Sequence, residues 1–253
     1  MKIVLKFAIL LLQSFILTSC ATERSAENLE EVLEREIGET PITTEEMSEP
    51  STLEESLISQ GLVALEGIIP GIRVELKYST TDNFFGQDVY GDLERAFLQL
   101  EVAELLRNAQ EKLTTKYPNL TLLIYDAARP LEVQQILWDN LAKPDSLKPL
   151  YVADPKVGSL HNFGVAVDLT IYDNESGQPL DMGTGYDFFG YAAYPDREME
   201  MLASGTITKA QVANREILRS VMTTSGFTGI GSEWWHFNAF SRKEAGEKFE
   251  LIN

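Results

Sequence analysis

The chain has 253 residues and is strongly acidic, with 39 Asp and Glu against 21 Lys and Arg and a formal net charge of −18 at pH 7. This charge argues against nucleic acid or anionic lipid as a partner, because both are negatively charged. The single cysteine, Cys20, excludes a disulfide bond within one chain.

The first 19 residues are predicted to be a signal peptide. Lys2 and Lys6 precede an apolar run that is short for a membrane span. The run ends in Leu17-Thr18-Ser19-Cys20, which resembles a bacterial lipobox. Cys20 is therefore expected to become an acylated N-terminus that holds the chain on a membrane, facing the periplasm. Ala21 follows in place of the Asp associated with inner-membrane retention, which favours the outer membrane. The alternative is an ordinary signal peptide with a free cysteine.

Residues 20–55 are predicted to be the lipidated cysteine followed by a disordered acidic tether. Positions 21–55 hold twelve Glu and two Arg, with no Lys, Asp or aromatic residue. Such a segment buries too little apolar surface to offset the entropy lost on ordering, and its charges repel one another. A short amphipathic helix over 29–37 is the alternative.

Residues 56–253 are predicted to form one domain with mixed helices and strands. Apolar residues at three- and four-residue steps predict a helix over 94–116. Two more helices are predicted, one beginning at Pro130 and one following Thr208 as its N-cap. The predicted strands are 62–69, 72–78, 120–125, 165–171 and 234–240. Because strands and helices do not alternate regularly, the predicted fold class is α+β with a central antiparallel sheet and flanking helices.

Both histidines of the chain lie in distinctive segments, Ser159 to Asp168 and Glu233 to Phe237. Zinc is commonly held by imidazoles and carboxylates, and His161, Asp168 and His236 would supply three ligands. His161 and Asp168 are seven residues apart and would point to opposite faces of an unbroken strand. We therefore expect the chain to bend at Asn162-Phe163-Gly164. A structural role for each histidine remains the alternative.

Further polar residues surround this pattern. Glu233 lies three residues before His236, close enough to act on a water molecule at the centre without being a ligand. Arg129 follows a predicted strand and could stabilise an oxyanion, with Asp126 orienting it. A purely structural Arg129–Asp126 pair is equally compatible with this stretch. Asp187 lies in a Gly-rich loop, and Tyr78 lies at the end of a predicted strand. Each could belong to the site, or could have an ordinary turn or surface role.

Taken together, these motifs resemble the zinc D-alanyl-D-alanine dipeptidases of the vancomycin-resistance type, within the wider group of zinc D,D-peptidases. The shared features are Ser-x-His-x-x-Gly-x-Ala-x-Asp at 159–168, Glu-Trp-Trp-His-Phe at 233–237, and Arg129-Pro130. Others are Leu-Lys-Tyr at 76–78, Asp-Asn-Phe at 82–84, and Met182-Gly183 with Asp187-Phe188. The resemblance covers residues 60–240.

The resemblance implies a zinc D,D-peptidase (hedgehog-like) architecture and one Zn²⁺ held by His161, Asp168 and His236. It implies Glu233 as the catalytic base and Arg129 as the group that stabilises the tetrahedral intermediate. Tyr78, Ser159 and Asp187 are expected to bind the free ammonium of the dipeptide. The expected reaction is hydrolysis of D-alanyl-D-alanine to two D-alanine molecules in cell-wall turnover, and no protein partner is inferred.

Two rival functions remain at this point. A zinc D,D-carboxypeptidase that trims peptidoglycan stem peptides would share the metal ligands and differ in the pocket for the amino end. A non-catalytic lipoprotein that binds cell-wall fragments would retain a metal for folding alone. Asp187 and Tyr78 favour the dipeptidase over the first rival. The presence of Glu233 and Arg129 argues against the second.

Overall fold

The structure is a computed structural model that describes residues 52–253. The predicted signal peptide, Cys20, the alternative helix over 29–37 and most of the predicted tether lie outside the described residues. None of the helices in the described part of the chain is long and apolar enough to span a bilayer.

The described residues form α-helices, 3₁₀-helices and strands. The α-helices are α1 (Thr52–Ser59), α2 (Leu100–Lys116), α3 (Leu131–Asn140), α4 (Glu198–Ala203), α5 (Lys209–Thr223) and α6 (Arg242–Lys248). The strands are β1 (Val63–Ala64), β2 (Arg73–Val74), β3 (Phe97–Leu98), β4 (Leu120–Asp126), β5 (Ala166–Asp173), β6 (Gln178–Pro179), β7 (Thr228–Gly229) and β8 (His236–Asn238). The 3₁₀-helices are Leu65–Gly67, Lys77–Ser79, Lys148–Leu150, Leu160–Phe163, Tyr191–Ala193 and Pro195–Arg197.

A six-stranded sheet forms the centre of the fold. Its strand order is β2-β4-β5-β8-β7, and β6 pairs with β5 beside this path. All pairs are antiparallel except β2 with β4. A separate small sheet pairs β1 with β3. The α+β class with a mainly antiparallel sheet and flanking helices is confirmed.

The core lies where α2 packs on β4 and α5. The inward face of α2 is made of buried residues spaced three and four apart, which is the pattern of a helix packed on one side: Val102, Ala103, Leu106, Ala109, Gln110 and Leu113. β4 and β5 are almost entirely buried, and they are the two longest strands of the sheet. These strands therefore form a rigid base for the side chains at their ends.

Helix boundaries agree best with prediction where capping residues mark them. Thr208 caps α5 and forms a reciprocal capping box with Gln211. Pro130 precedes the first residue of α3. The predicted strand at 165–171 is observed as β5, two residues longer at its C-terminal end.

Several other predicted elements are shorter in the structure. The predicted strand 62–69 contains only β1 before a 3₁₀-helix, and 72–78 contains only β2. The predicted helix 94–116 begins at Leu100, because residues 97–98 pair with β1 as β3. The last predicted strand, 234–240, is reduced to β8.

Helix α1, the first element of the described residues, spans the position predicted as the boundary between residues 55 and 56. Leu57 and Glu54 are buried, and Glu54 forms an ion pair with Arg95. The folded part of the chain therefore reaches back at least to Thr52.

Candidate metal centre

His161, Asp168 and His236 meet at one end of β5 and β8. Asp168 and His236 are directly opposite each other in the antiparallel register of these strands, so their side chains lie on the same face. His161 is in the 3₁₀-helix Leu160–Phe163, immediately before β5. The three potential ligand atoms lie within 4.8 Å of one another.

Gly164 provides the bend that the seven-residue spacing of His161 and Asp168 requires. It ends the 3₁₀-helix in the left-handed conformation, with φ of 67°. A Cβ atom at this position would lie 2.9 Å from the side chain of Leu62. Both the backbone conformation and the close packing therefore favour glycine at this position.

Hydrogen bonds on the outer side of each imidazole determine which nitrogen faces the centre. His161 Nδ1 lies 2.6 Å from the carbonyl oxygen of Ala127, and His236 Nε2 lies 2.8 Å from Oδ1 of Asn238. Both partners are acceptors, so these nitrogens carry the hydrogens. Nε2 of His161 and Nδ1 of His236 are left to face Asp168.

The inward-facing atoms form a cluster of acceptors. His161 Nε2 lies 3.3 Å from His236 Nδ1 and 3.4 Å from Asp168 Oδ1, and His236 Nδ1 lies 2.9 Å from the same oxygen. Two imidazole nitrogens and a carboxylate, oriented by outer hydrogen bonds, are the donor set that a divalent zinc-like cation prefers. The residues present therefore fit a metal ion.

In the metal-free protein, protons compensate for the charge of this cluster. Burial acts to raise the pKa of Asp168, but the charge of His161 and the hydrogen bonds from both histidines lower it far below its ordinary value. Burial acts to lower the pKa of His236, but the hydrogen bond to Asp168 and its charge raise it to about 9. The proton on His236 Nδ1 thus occupies the position where a cation would bind.

Glu233 lies beside the centre rather than among its ligands. Its Oε2 is 3.9 Å from His236 Nδ1, and its side chain is 27% exposed. Burial raises the pKa of Glu233, and the charge of Asp168 adds to this, although His236 opposes it. A partly accessible carboxylate with a raised pKa can accept a proton and later return it.

Arg129 is buried next to the centre and is held by its neighbours. Its Nε and Nη2 donate to Oδ2 of Asp126, and its Nη1 donates to Oε1 of Gln134. These bonds use three of about five guanidinium N–H groups. Asp126 therefore orients Arg129, and donors remain that can face a substrate.

Asp187 and Tyr78 also lie close to this centre. The Tyr78 hydroxyl is 3.3 Å from Oδ2 of Asp187, and the backbone N–H of Phe84 donates to the same oxygen. Asp187 has φ of 57°, the one non-glycine residue with positive φ in the described part of the chain. Burial and the charge of Asp168 raise its pKa well above the ordinary value. A cationic partner would stabilise the ionised form of this carboxylate.

Ser159 caps the 3₁₀-helix that carries His161, and its expected contact with the substrate ammonium stays a prediction. Its Oγ accepts a hydrogen bond from the backbone N–H of His161, and it forms a capping box with Asn162 at the start of the 3₁₀-helix. Among the described residues, no hydrogen bond joins Ser159 to Asp187 or Tyr78. Its observed contacts fix the segment that carries His161.

Three contacts of the centre were missed by the sequence analysis. The Tyr186 hydroxyl donates to Oδ2 of Asp168 at 2.9 Å, and Asn238 and the Ala127 carbonyl hold the two imidazoles. Asn238 could have been found, because it lies two residues after His236 on a strand and so shares its face. No sequence spacing relates Tyr186 or Ala127 to the residues they contact.

Comparison with known proteins gives consistent matches. Residues 58–250 match the Peptidase_M15 family, described as D-Ala-D-Ala dipeptidase. The chain is 39% identical over 179 residues to a D-alanyl-D-alanine dipeptidase of Escherichia coli K12, covering 70% of this chain and 83% of that protein. It is 31% identical over 194 residues to one from Enterococcus faecium, covering 70% and 90%.

Among solved structures, the LD-carboxypeptidase LdcB is 16% identical, with 74% of this chain and 71% of that chain covered and a TM-score of 0.38. VanYB in complex with D-alanine-D-alanine is 15% identical, with 63% and 83% covered and a TM-score of 0.32.

Proposed function

The chain belongs to the Peptidase_M15 family of D-Ala-D-Ala dipeptidases, and from that premise we propose that it hydrolyses free D-alanyl-D-alanine to two D-alanine molecules with zinc as its metal. The proposal rests on one observation: the acceptor cluster, Glu233, Arg129 and Asp187 lie together. The guanidinium carbon of Arg129 lies 5.0 Å from the ring centre of Tyr78, whose hydroxyl is 3.3 Å from Oδ2 of Asp187. A metal centre and a half-buried carboxylate suited to an ammonium group thus share one site.

His161, Asp168 and His236 hold the metal in this proposal. Bound there, zinc would act as a Lewis acid that lowers the pKa of a water molecule and polarises the scissile carbonyl. Asp187 and Tyr78 bind the substrate ammonium, so that the dipeptide lies with its amino end next to the bond to be cut. Ser159 caps the helix of His161, and its contact with the substrate ammonium is part of the proposal.

Proton transfer in this mechanism is assigned to Glu233. Its carboxylate takes a proton from the attacking water as the oxygen bonds to the carbonyl carbon. It then delivers that proton to the nitrogen of the leaving D-alanine as the C–N bond breaks. The remaining N–H groups of Arg129 donate to the carbonyl oxygen as it gains negative charge. One water is consumed and two amino acids are released.

The proposed cellular setting is turnover of cell-wall dipeptide outside the cytoplasm. It rests on Leu17-Thr18-Ser19-Cys20, which supports a lipid anchor at Cys20, and on the acidic segment that follows as a tether. The protein would face the periplasm, on the outer membrane in the preferred arrangement. The relatives named as D-alanyl-D-alanine dipeptidases support the substrate.

Glu233→Gln tests the mechanism, because it keeps the size of the side chain and removes the base. We expect zinc content to stay at about one per chain while turnover of D-Ala-D-Ala falls roughly 10²–10⁴-fold. Glu111→Gln is the matched control, since Glu111 is exposed on α2, away from the site. Turnover of Glu233→Gln within a few-fold of the parent would show that another group is the base.

A further inference from the structure

Tyr186 connects the metal cluster to the loop that carries Asp187. Its hydroxyl donates to Oδ2 of Asp168 at 2.9 Å. The other oxygen of Asp168, Oδ1, faces His161 and His236 at 3.4 and 2.9 Å. The two carboxylate oxygens thus have separate partners, and the bond from Tyr186 fixes the rotation of the carboxylate.

The ring of Tyr186 is held by aromatic neighbours. Its centroid lies 5.3 Å from that of Tyr125, 5.4 Å from that of Trp235 and 6.2 Å from that of Tyr78. Trp235 and Tyr78 are themselves buried. Edge-on packing of this kind restrains a ring in both position and tilt. The hydroxyl is therefore held at the carboxylate even without a metal.

The backbone around Tyr186 is restrained as well. The residues of this loop, 182–192, are called the Asp187 loop below. Arg215, which is buried, donates to the carbonyl oxygens of Met182 and Ala192 at the two ends of the loop. Trp234 Nε1 donates to Thr184 Oγ1 within it. The loop is thus fixed at both ends and at Thr184.

From these contacts we infer that Tyr186 is a positioning residue for the metal centre, which orients Asp168 so that Oδ1 is presented to the cation. The inference rests on the proposed function in so far as that function places a metal at His161, Asp168 and His236. Without the hydroxyl, the carboxylate can rotate about its terminal bond, and its outer oxygen loses a charge-assisted hydrogen bond. A hydrogen bond to a metal ligand from outside the coordination sphere typically contributes about 10–100-fold in metal affinity.

The test is the zinc affinity of the full chain, measured by competition with a chromophoric chelator. Tyr186→Phe removes only the hydroxyl and should weaken zinc binding by about 10–100-fold. Tyr125→Phe is the matched control: this ring packs against Tyr186, and no hydrogen bond of the described residues involves its hydroxyl. The zinc affinity of Tyr125→Phe should stay within about twofold of the parent's.

The unfolding temperature of each metal-free protein is measured alongside. The inference requires that metal-free Tyr186→Phe remain folded, and a variant that unfolds without metal would overturn it in favour of a structural role. The inference would also be overturned if Tyr186→Phe bound zinc as tightly as the parent, or if Tyr186→Phe and Tyr125→Phe lost zinc affinity equally. A parent that binds zinc but does not cleave D-Ala-D-Ala would contradict the proposed function and leave the assignment of Tyr186 standing.

Discussion

The pKa of His236 links proton binding to metal binding at the level of a single residue. In the metal-free protein, the Asp168 carboxylate accepts a hydrogen bond from His236 and raises the pKa of His236 to about 9. A metal binds the neutral imidazole, so at neutral pH this proton must leave. Asp168 is already ionised there, because its pKa is far below the ordinary value.

Zinc affinity is therefore expected to rise with pH below about 9 and to level off above it. Each pH unit below that value should weaken binding about tenfold, since one proton competes with the metal. Chelator competition at two pH values one unit apart in the neutral range measures this slope. An affinity that does not change across that unit would show that His236 is neutral in the metal-free protein.

Some residues of the metal centre could be predicted from the sequence, and others could not. The two histidines were found because the chain has no others, and Asp168 and Glu233 because they stand at metal-site spacings. Tyr186 and the Ala127 carbonyl contact the centre through chain reversals that no local spacing encodes. For Ser159, the resemblance indicates a substrate contact, which stays a prediction, and the structure adds its role as the cap of the helix of His161.

The Asp187 loop is the element on which the amino-end pocket depends. Asp187 has φ of 57°, which is unfavourable for a residue with a Cβ and persists only where the surroundings impose it. Arg215, on α5, donates hydrogen bonds to both ends of this loop, so the position of Asp187 depends on α5. Glu198 pairs with both Arg215 and Arg219 and joins α4 to the same arrangement.

Arg215→Met should release the loop and leave two buried carbonyl groups without donors. We expect a loss of about 3 kcal/mol of stability, which corresponds to about 6–12 °C in the unfolding temperature. KM for D-Ala-D-Ala should rise more than kcat falls, because the ammonium site is displaced. Arg219→Met is the control, since Arg219 also pairs with Glu198 but does not bond to the loop. Equal effects of the two substitutions on KM would contradict a role for Arg215 in placing Asp187.

Elements with strong local signals were predictable, and those formed by distant pairing were not. Helix α5 has its cap at Thr208 and glycine at 226, and α2 has a continuous buried face. Residues 97–98 continue the same helical pattern but pair with β1, so tertiary pairing overrides the periodicity. β8 has three residues, too few for any alternation to define it.

At the scale of the whole molecule, the chain combines a folded catalytic region with an acidic N-terminal segment of different composition. The folded region begins no later than Thr52. The preceding residues have no counterpart in the family match, which begins at residue 58. Their proposed role is to hold the enzyme at a distance from the membrane.

Cys20→Ser tests the proposed anchor. In a bacterial host the parent should incorporate labelled fatty acid and sediment with membranes, and Cys20→Ser should do neither, because serine cannot form the thioether to lipid. Ser25→Ala, five residues beyond the cysteine, is the control and should behave as the parent. Unchanged labelling of Cys20→Ser would exclude the lipobox.

The central claim is that this site cuts dipeptides whose free ammonium is bound by Asp187, and substrate comparison tests it most directly. The measurement is kcat/KM of the zinc-loaded parent and of Asp187→Ala for D-Ala-D-Ala and N-acetyl-D-Ala-D-Ala, with L-Ala-L-Ala and a stem pentapeptide alongside. Removing the ammonium leaves the half-buried carboxylate of Asp187 without its ionic partner, a cost of about 3 kcal/mol, at the low end of the range for a buried charge. The parent should therefore prefer the free D,D-dipeptide by a factor of about 100 or more, and Asp187→Ala should lose most of that preference. Equal cleavage of the free dipeptide and of its N-acetyl form or the pentapeptide by the parent would contradict the account and indicate a D,D-carboxypeptidase.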